Sequence, residues 1–221
     1  GNGQQALMAV LSGEDPRAAP GAVTLFEHDI STATPRMRRH LGLNSVPEER
    51  LGRGAVPTLS LAQNTLLTRT DAIGPGGWLR VSGIKGMTLE LIERFNVKAS
   101  GPQTLAKSLS GGNLQKFIVG REIMQKPIAM VVAQPTWGVD VGAAAFLRQT
   151  LIDLSRSGVA ILVISEELEE LFEICDRIAV LAEGRLSEAV PKQQTNAEKI
   201  GMQMSGLFSA ADTREPAHAA A

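Results

Sequence analysis

The sequence predicts an α/β fold with a mostly parallel sheet, and three observations carry that prediction. Helix-type and strand-type segments alternate along the chain. Two continuous apolar runs, residues 128–133 and 160–165, have the composition of strands buried on both faces. Between them, residues 142–157 carry Phe146, Leu147, Thr150, Leu151 and Leu154 at helical spacing, which suits a crossover helix joining two parallel strands.

The other elements follow in order. Residues 5–11 read as a first helix, and Gly13-Glu14-Asp15-Pro16 and Pro20-Gly21 mark loops. Residues 23–26 suggest a short strand and residues 35–40 a basic helix. From residue 57 to about 126 no strand pattern appears. Helical stretches at 59–68 and 89–95 flank Gly74-Pro75-Gly76-Gly77, so this region reads as a mostly helical insertion into the α/β core. Residues 177–181 form a further strand. Residues 209–221, rich in Ala and without apolar period, are expected to be a disordered tail.

Length and charge narrow the function classes. The 221 residues suffice for one large domain or two small ones. Lys and Arg number 22 against 23 Asp and Glu. Nucleic acid or an anionic membrane surface as main partner would call for a basic excess, so both are disfavoured. A single cysteine excludes an internal disulfide framework and favours a reducing compartment. The apolar runs fall far short of the roughly 20 residues needed to span a bilayer.

The most specific string is Leu109-Ser110-Gly111-Gly112-Asn113, followed by Leu114-Gln115-Lys116 and a helix-compatible run to about Met124. Chance would produce its core in a chain this long with a probability on the order of 10⁻³. A Ser-Gly-Gly turn opening a helix lets backbone approach an anion closely, with free N–H groups and the positive helix end facing it. The structural alternative is a glycine-rich N-cap in which Ser110 satisfies backbone donors.

With three further matches in order, residues 1–208 resemble the nucleotide-binding subunit of ABC transporters. Ser110-Gly111-Gly112 matches the family signature, which by that resemblance contacts the γ-phosphate of ATP held by an opposite nucleotide-binding domain. Residues 128–133 with Gln134-Pro135-Thr136-Trp137-Gly138-Val139-Asp140 resemble the Walker B strand and D-loop, and residues 161–166 the strand ending at the switch position. Val46-Pro47-Glu48-Glu49-Arg50 stands where the family has its Q-loop, just before a helical subdomain at about 57–126. Gly1-Asn2-Gly3-Gln4-Gln5 resembles the last five positions of a phosphate-binding loop. The implied fold is a P-loop NTPase core, N-terminally truncated, with its first strand and half its phosphate loop missing. Within the family the strongest resemblance is to the second half of the double-domain ATPases of nucleoside and simple-sugar importers. Gln63-Asn64, Asp140-Val141-Gly142-Ala143, Ser165-Glu166-Glu167-Leu168 and Asp176-Arg177-Ile178-Ala179-Val180 also carry it, and Ala133-Gln134-Pro135 leans toward the nucleoside branch.

Set against that family, the central catalytic positions have lost their chemistry. A phosphate loop needs a Lys for the β/γ-phosphates and a Ser/Thr hydroxyl for Mg²⁺, where this chain has Gln4 and Gln5. The Mg²⁺-supporting Asp and the water-polarising Glu correspond to Ala133 and Gln134, neither of which is a base. The switch His corresponds to Glu166, whose charge would face phosphate. The resemblance therefore implies a degenerate own site, with no competent catalytic residue and no metal ligand. It also implies that Ser110, Gly111, Gly112 and Asn113 contact ATP in trans, that Glu48 and Asp140 take the Q-loop and D-loop positions, and that a partner domain mainly holds Mg²⁺. Expected partners are that second nucleotide-binding domain, membrane permease subunits and, indirectly, a substrate-binding protein, with no nucleic acid. The expected location is peripheral, on the cytoplasmic face of the membrane, and the isolated chain is expected to be inactive. A non-hydrolysing regulatory or scaffolding ABC-type module is the alternative.

Other residues read as structural. Cys175, on an apolar helix, suits a small buried hydrophobe better than a nucleophile. His28, His40 and His218 lack ligand spacing. Arg36-Met37-Arg38-Arg39-His40 reads as a solvated helix face, and Glu166, Glu167, Glu169, Glu170 and Glu173 as an acidic helix start. Trp78 suits an exposed aromatic at a permease contact or a loop anchor equally well.

Overall fold

The computed structural model describes residues 2–70 and 81–206, so Gly1, Gly74 to Trp78 and the expected tail lie outside the described residues. The chain forms two compact units, Met8–Ile164 and Gly1–Leu7 with Ser165–Ala221.

In the first unit, the part of α1 (Gln4–Ser12) from Met8 onward carries Met8 into a core with Ile30, Leu43, Ala129, Val131 and Ala133. An antiparallel hairpin follows, β1 (Thr24–Leu25) with β2 (His28–Asp29), turning through Phe26 at φ 51°. The sequence indicated only its first strand, because His28-Asp29 has no apolar alternation. The basic helix α2 (Pro35–His40) is capped by Thr34, whose hydroxyl accepts from the Met37 amide. Its expected solvated face is wrong at Arg38, which is fully buried. That guanidinium donates to the carbonyls of Val10 at 2.6 Å, Leu11 at 2.8 Å, Ala33 at 3.0 Å and Ser31 at 3.1 Å. A single Arg fork thereby ties the last turn of α1 to the segment before α2, and four carbonyls stand in for water.

Next, β3 (Leu43–Val46) pairs in parallel with β4 (Ala129–Ala133), which pairs in parallel with β5 (Ala160–Ile164). All five β4 positions are buried, as a run of apolar residues on both faces requires. Between β3 and β4 the described residues 57–70 and 81–126 hold helices joined by turns and loops, with no strand among them beyond an isolated Ser60–Leu105 bridge. The helices are α3 (Leu61–Leu66), α4 (Val81–Arg94) and α5 (Gly111–Ile123). Ser60 and Gln63 close a reciprocal capping box on α3. The crossover helix α6 (Val141–Arg156) is capped by Asp140 and turns Leu147 and Leu151 inward, as its spacing indicated.

In the second unit, α7 (Leu168–Ile174) precedes β6 (Arg177–Ile178), β7 (Leu181–Ala182), β8 (Arg185–Leu186), β9 (Val190–Pro191) and α8 (Ala197–Met204). The strand expected at 177–181 is two short pieces, because β6 pairs with β9 and β7 with β8. Ile178, Val180, Ala182 and Ile200 pack with Leu168, Leu171 and Phe172. Among the described residues no helix is long and apolar enough to cross a membrane.

Candidate functional site

The signature turn is built by capping. Ser110 adopts extended backbone before α5, and its Oγ accepts from the Asn113 amide at 3.4 Å and from Asn113 Nδ2 at 2.9 Å. Asn113 Oδ1 accepts from the Lys98 amide at 2.8 Å, which pins the turn to the loop after α4. The first-turn amides of Gly111 and Gly112 have no intrahelical acceptor, and Ser110 and Gly111 are exposed. Packing demands glycine at 112 and leaves little room at 111. A Cβ on Gly112 would stand 2.8 Å from both Asp140 Oδ2 and Ala143 Cβ, and one on Gly111 would stand 3.3 Å from Arg50 Nη1.

Three sequence segments therefore meet at one turn. Asp140 caps α6 by accepting from the Ala143 amide at 2.9 Å. Arg50, half-buried, donates from Nε to Gln115 Oε1 at 3.0 Å. Lys116 is withdrawn from the surface: its Nζ donates to the Asn96 carbonyl at 2.5 Å and lies 5.6 Å from the centre of the Phe146 ring. Burial pushes the Lys116 pKa down, and Asp140 partly opposes this. The turn thus presents the exposed Gly111 amide, with the buried Gly112 behind it, at a helix N-terminus held by polar neighbours, an arrangement suited to an anion. In the sequence Arg50 stands out only as part of the Val46-Pro47-Glu48-Glu49-Arg50 string. Its partner lies 65 residues away, and no local pattern reports such a contact.

In the same unit, Glu48 is exposed in the turn after β3. Ala133 is buried at the end of β4, and Gln134 continues the ladder by donating its amide to the Ile164 carbonyl at 2.7 Å. Gln134 takes a φ of 49°, a left-handed conformation uncommon outside glycine and a mark of a constrained site. In the second unit, Asn2 and Gly3 precede α1, the Gly3 carbonyl accepting from Leu7 at 2.9 Å, and Gln5 is exposed. Gln4 Nε2 donates to Glu166 Oε1 at 3.3 Å, so two of the residues singled out in the sequence are brought together. Glu169 and Glu170 occupy the first turn of α7, where Glu170 accepts from Ser165 Oγ at 3.0 Å.

Cys175 is half-buried at the end of α7. Burial first, then the charges of Glu170 and Asp176, push its thiol up to about 11. The reactive form is the thiolate, so alkylation by iodoacetamide at pH 7.4 should be slow and should accelerate as pH rises toward that value. The same reagent should react faster with the denatured chain, whose thiol returns to the ordinary range of about 8.5. Fast labelling of the folded chain at neutral pH would contradict this assignment.

No family model matches the chain. Over 208 residues it is 36% identical to the nucleoside import ATP-binding protein NupA of Lactococcus lactis, covering 93% of this chain and 41% of that protein. The guanosine import ATP-binding protein NupO of Bacillus subtilis gives the same identity and coverages. The ribose import ATP-binding protein RbsA of Halalkalibacterium halodurans is 32% identical over 200 residues, covering 90% of this chain and 40% of that protein. The chain thus spans about two fifths of the length of the relatives it matches. In three dimensions it superposes on a nucleotide-free ATP-binding cassette from an ABC transporter with a TM-score of 0.71, at 20% identity over 91% of this chain and 83% of that one. A dimeric cassette in a post-hydrolysis state, bound to ADP and Pi, gives 0.68 at 15% identity, covering 86% and 81%.

Proposed function

Because the chain belongs to the ABC family of ATP-binding cassettes, we propose that it is the degenerate half of the ATP-binding component of an importer for nucleosides or simple sugars. In this reading it pairs head to tail with a second cassette. Its signature closes on ATP held by that cassette, and the pair drives membrane permease subunits from the cytoplasmic face.

The observation that carries the reading is the contrast between two anion-binding elements. The signature turn fits a phosphate: Gly111 is exposed, the helix-end amides are free of intrahelical acceptors, and Ser110 and Asn113 hold the geometry. The chain's own phosphate loop does not fit MgATP. Gln4 and Gln5 bring neither cation nor hydroxyl, and the Gln4 amide is engaged by the Glu166 carboxylate. Ala133 and Gln134 supply no carboxylate where Mg²⁺ and water would need one. Phosphoryl transfer depends chiefly on positioning and charge stabilisation, so a signature supplied in trans is a catalytic contribution even from a chain with no base. The identity to nucleoside, guanosine and ribose import proteins supports the choice of substrate classes.

The test is ATP turnover by the chain alone and by the chain paired with a cassette that keeps its Lys, Mg²⁺ ligand and catalytic Glu. The chain alone should release phosphate no faster than a no-protein control, and the pair should turn over ATP. Robust turnover by the chain alone would overturn the degenerate-site reading. Nucleotide binding by the pair without turnover would favour a scaffolding module instead.

A further inference from the structure

We propose that Arg50 and Gln115 form an oxyanion-accepting pair beside the signature turn, and that it takes the terminal phosphate of the nucleoside triphosphate presented by a second cassette. The proposal rests on the in-trans reading above and extends the signature from a backbone element to one with a guanidinium of its own.

Four observations converge on it. Arg50 flanks the turn: its Nη1 lies 3.3 Å from the point where a Cβ on Gly111 would stand and 3.9 Å from the same point on Gly138. Glycine at 111 leaves that side of the turn open, where a Cβ would crowd the guanidinium. Second, Arg50 forms no ion pair with a carboxylate among the described residues. Its hydrogen bond to Gln115 uses Nε and leaves Nη1 facing the turn. Partial burial draws its pKa down, as desolvation of a cation must. Third, Gln115 is 1% exposed, and its Oε1 is taken by Arg50. Its Nε2 is buried with no acceptor among the described residues. A buried donor left unpaired costs about 1–3 kcal/mol, so it marks a place where an acceptor is wanted. Fourth, Gly111, beside which Arg50 Nη1 lies, is exposed and adds a helix-end amide donor at the same turn. On the Arg50 side of the turn, donors gather without a carboxylate partner among the described residues. A phosphate, with several acceptor oxygens and a charge to match a planar fork, is the complement.

The experiment uses the chain paired with an intact cassette and measures equilibrium binding of ATP and of ADP separately, with turnover alongside. Arg50→Met should weaken ATP binding about tenfold, the loss of one charge-assisted contact. It should leave ADP, which lacks the terminal phosphate, within about twofold. Arg50→Lys should recover only part of the loss, because an ammonium lacks the fork. Circular dichroism of each variant establishes folding, and Arg50→Gln, which keeps an amide toward Gln115, replaces Arg50→Met if the latter unfolds. Equal weakening of ATP and ADP would mean that Arg50 only positions the turn, and would overturn the proposal. So would nucleotide-independent loss of pairing, which would assign the cation to a carboxylate of the second domain. Ser110→Arg separates the two levels. If it abolishes turnover while Arg50→Met changes nothing, the Arg50 proposal alone fails. If it too changes nothing, the in-trans reading itself fails.

Discussion

Ser110→Arg, introduced into this chain paired with an intact cassette, is expected to lower ATP turnover by about two to three orders of magnitude, the scale seen when a donor aimed at developing charge is lost. The effect has two parts. Ser110 Oγ accepts from both the amide and the side chain of Asn113, so replacing it removes the N-cap of α5, worth about 1 kcal/mol. The larger part is occupancy: residue 110 is exposed at the mouth of the turn, and a long side chain there fills the space a phosphate would enter. Ser110→Ala separates the two, since it removes the cap without adding bulk. It should lose well under a tenth as much as Ser110→Arg, with the unfolding midpoints of both variants showing a similar small drop. A Ser110→Arg pair that keeps turnover within about threefold would sink the assignment of this turn to catalysis in trans.

That the signature could be recognised from sequence, and Arg50 could not, has a physical cause. The cap at 110 is completed three residues later and is written within a short string, and the crowding by Asp140 and Ala143, though distant in sequence, leaves its mark locally as the glycine at 112. The β4–α6–β5 unit was legible for a related reason. Burial on both faces of β4 forces five consecutive apolar residues, and the one-sided burial of α6 forces helical spacing. Strand β3 escaped notice because Asn44 interrupts its apolar pattern. Asn44 is nonetheless buried, donating from Nδ2 to the Glu122 carbonyl at 3.0 Å, a partner 78 residues distant. Arg38 misled for the converse reason, since a string of basic residues looks solvated until four carbonyls are found around one of them. The apolar run at 177–181 marked β6 and the start of β7 but not their separation, and β8 and β9 are defined by their antiparallel partners alone.

The second large effect is expected at Glu122, which the sequence presented as one polar residue in a helix. It is fully buried, and its carboxylate sits between two guanidinium groups. Oε1 accepts from Arg121 Nε at 2.9 Å, and Oε2 meets Arg39 Nη1 and Gln125 Nε2. Arg121 extends the network, donating to the Gly54 carbonyl at 2.8 Å and the Asn64 carbonyl at 3.2 Å. Burial pushes the Arg121 pKa down, Glu122 opposes that, and the nearby Arg39 adds to it. Replacing Glu122 by Leu would leave two cations in the core with their shared counter-charge gone. The expected cost is about 3–5 kcal/mol, a large fraction of the stability of an ordinary domain. Arg39→Met should cost much less, because the Arg39 side chain is 14% exposed and its loss leaves the Arg121–Glu122 pair intact at one charge each. Urea denaturation of the chain and its variants measures the order, and a Glu122→Leu midpoint no lower than that of Arg39→Met would contradict it. The network joins β3, the turn after Arg50, α3 and the helix that carries the signature. A folded remnant of Glu122→Leu should therefore also lose the signature's contribution to turnover, since α5 would no longer be anchored at the end opposite Ser110.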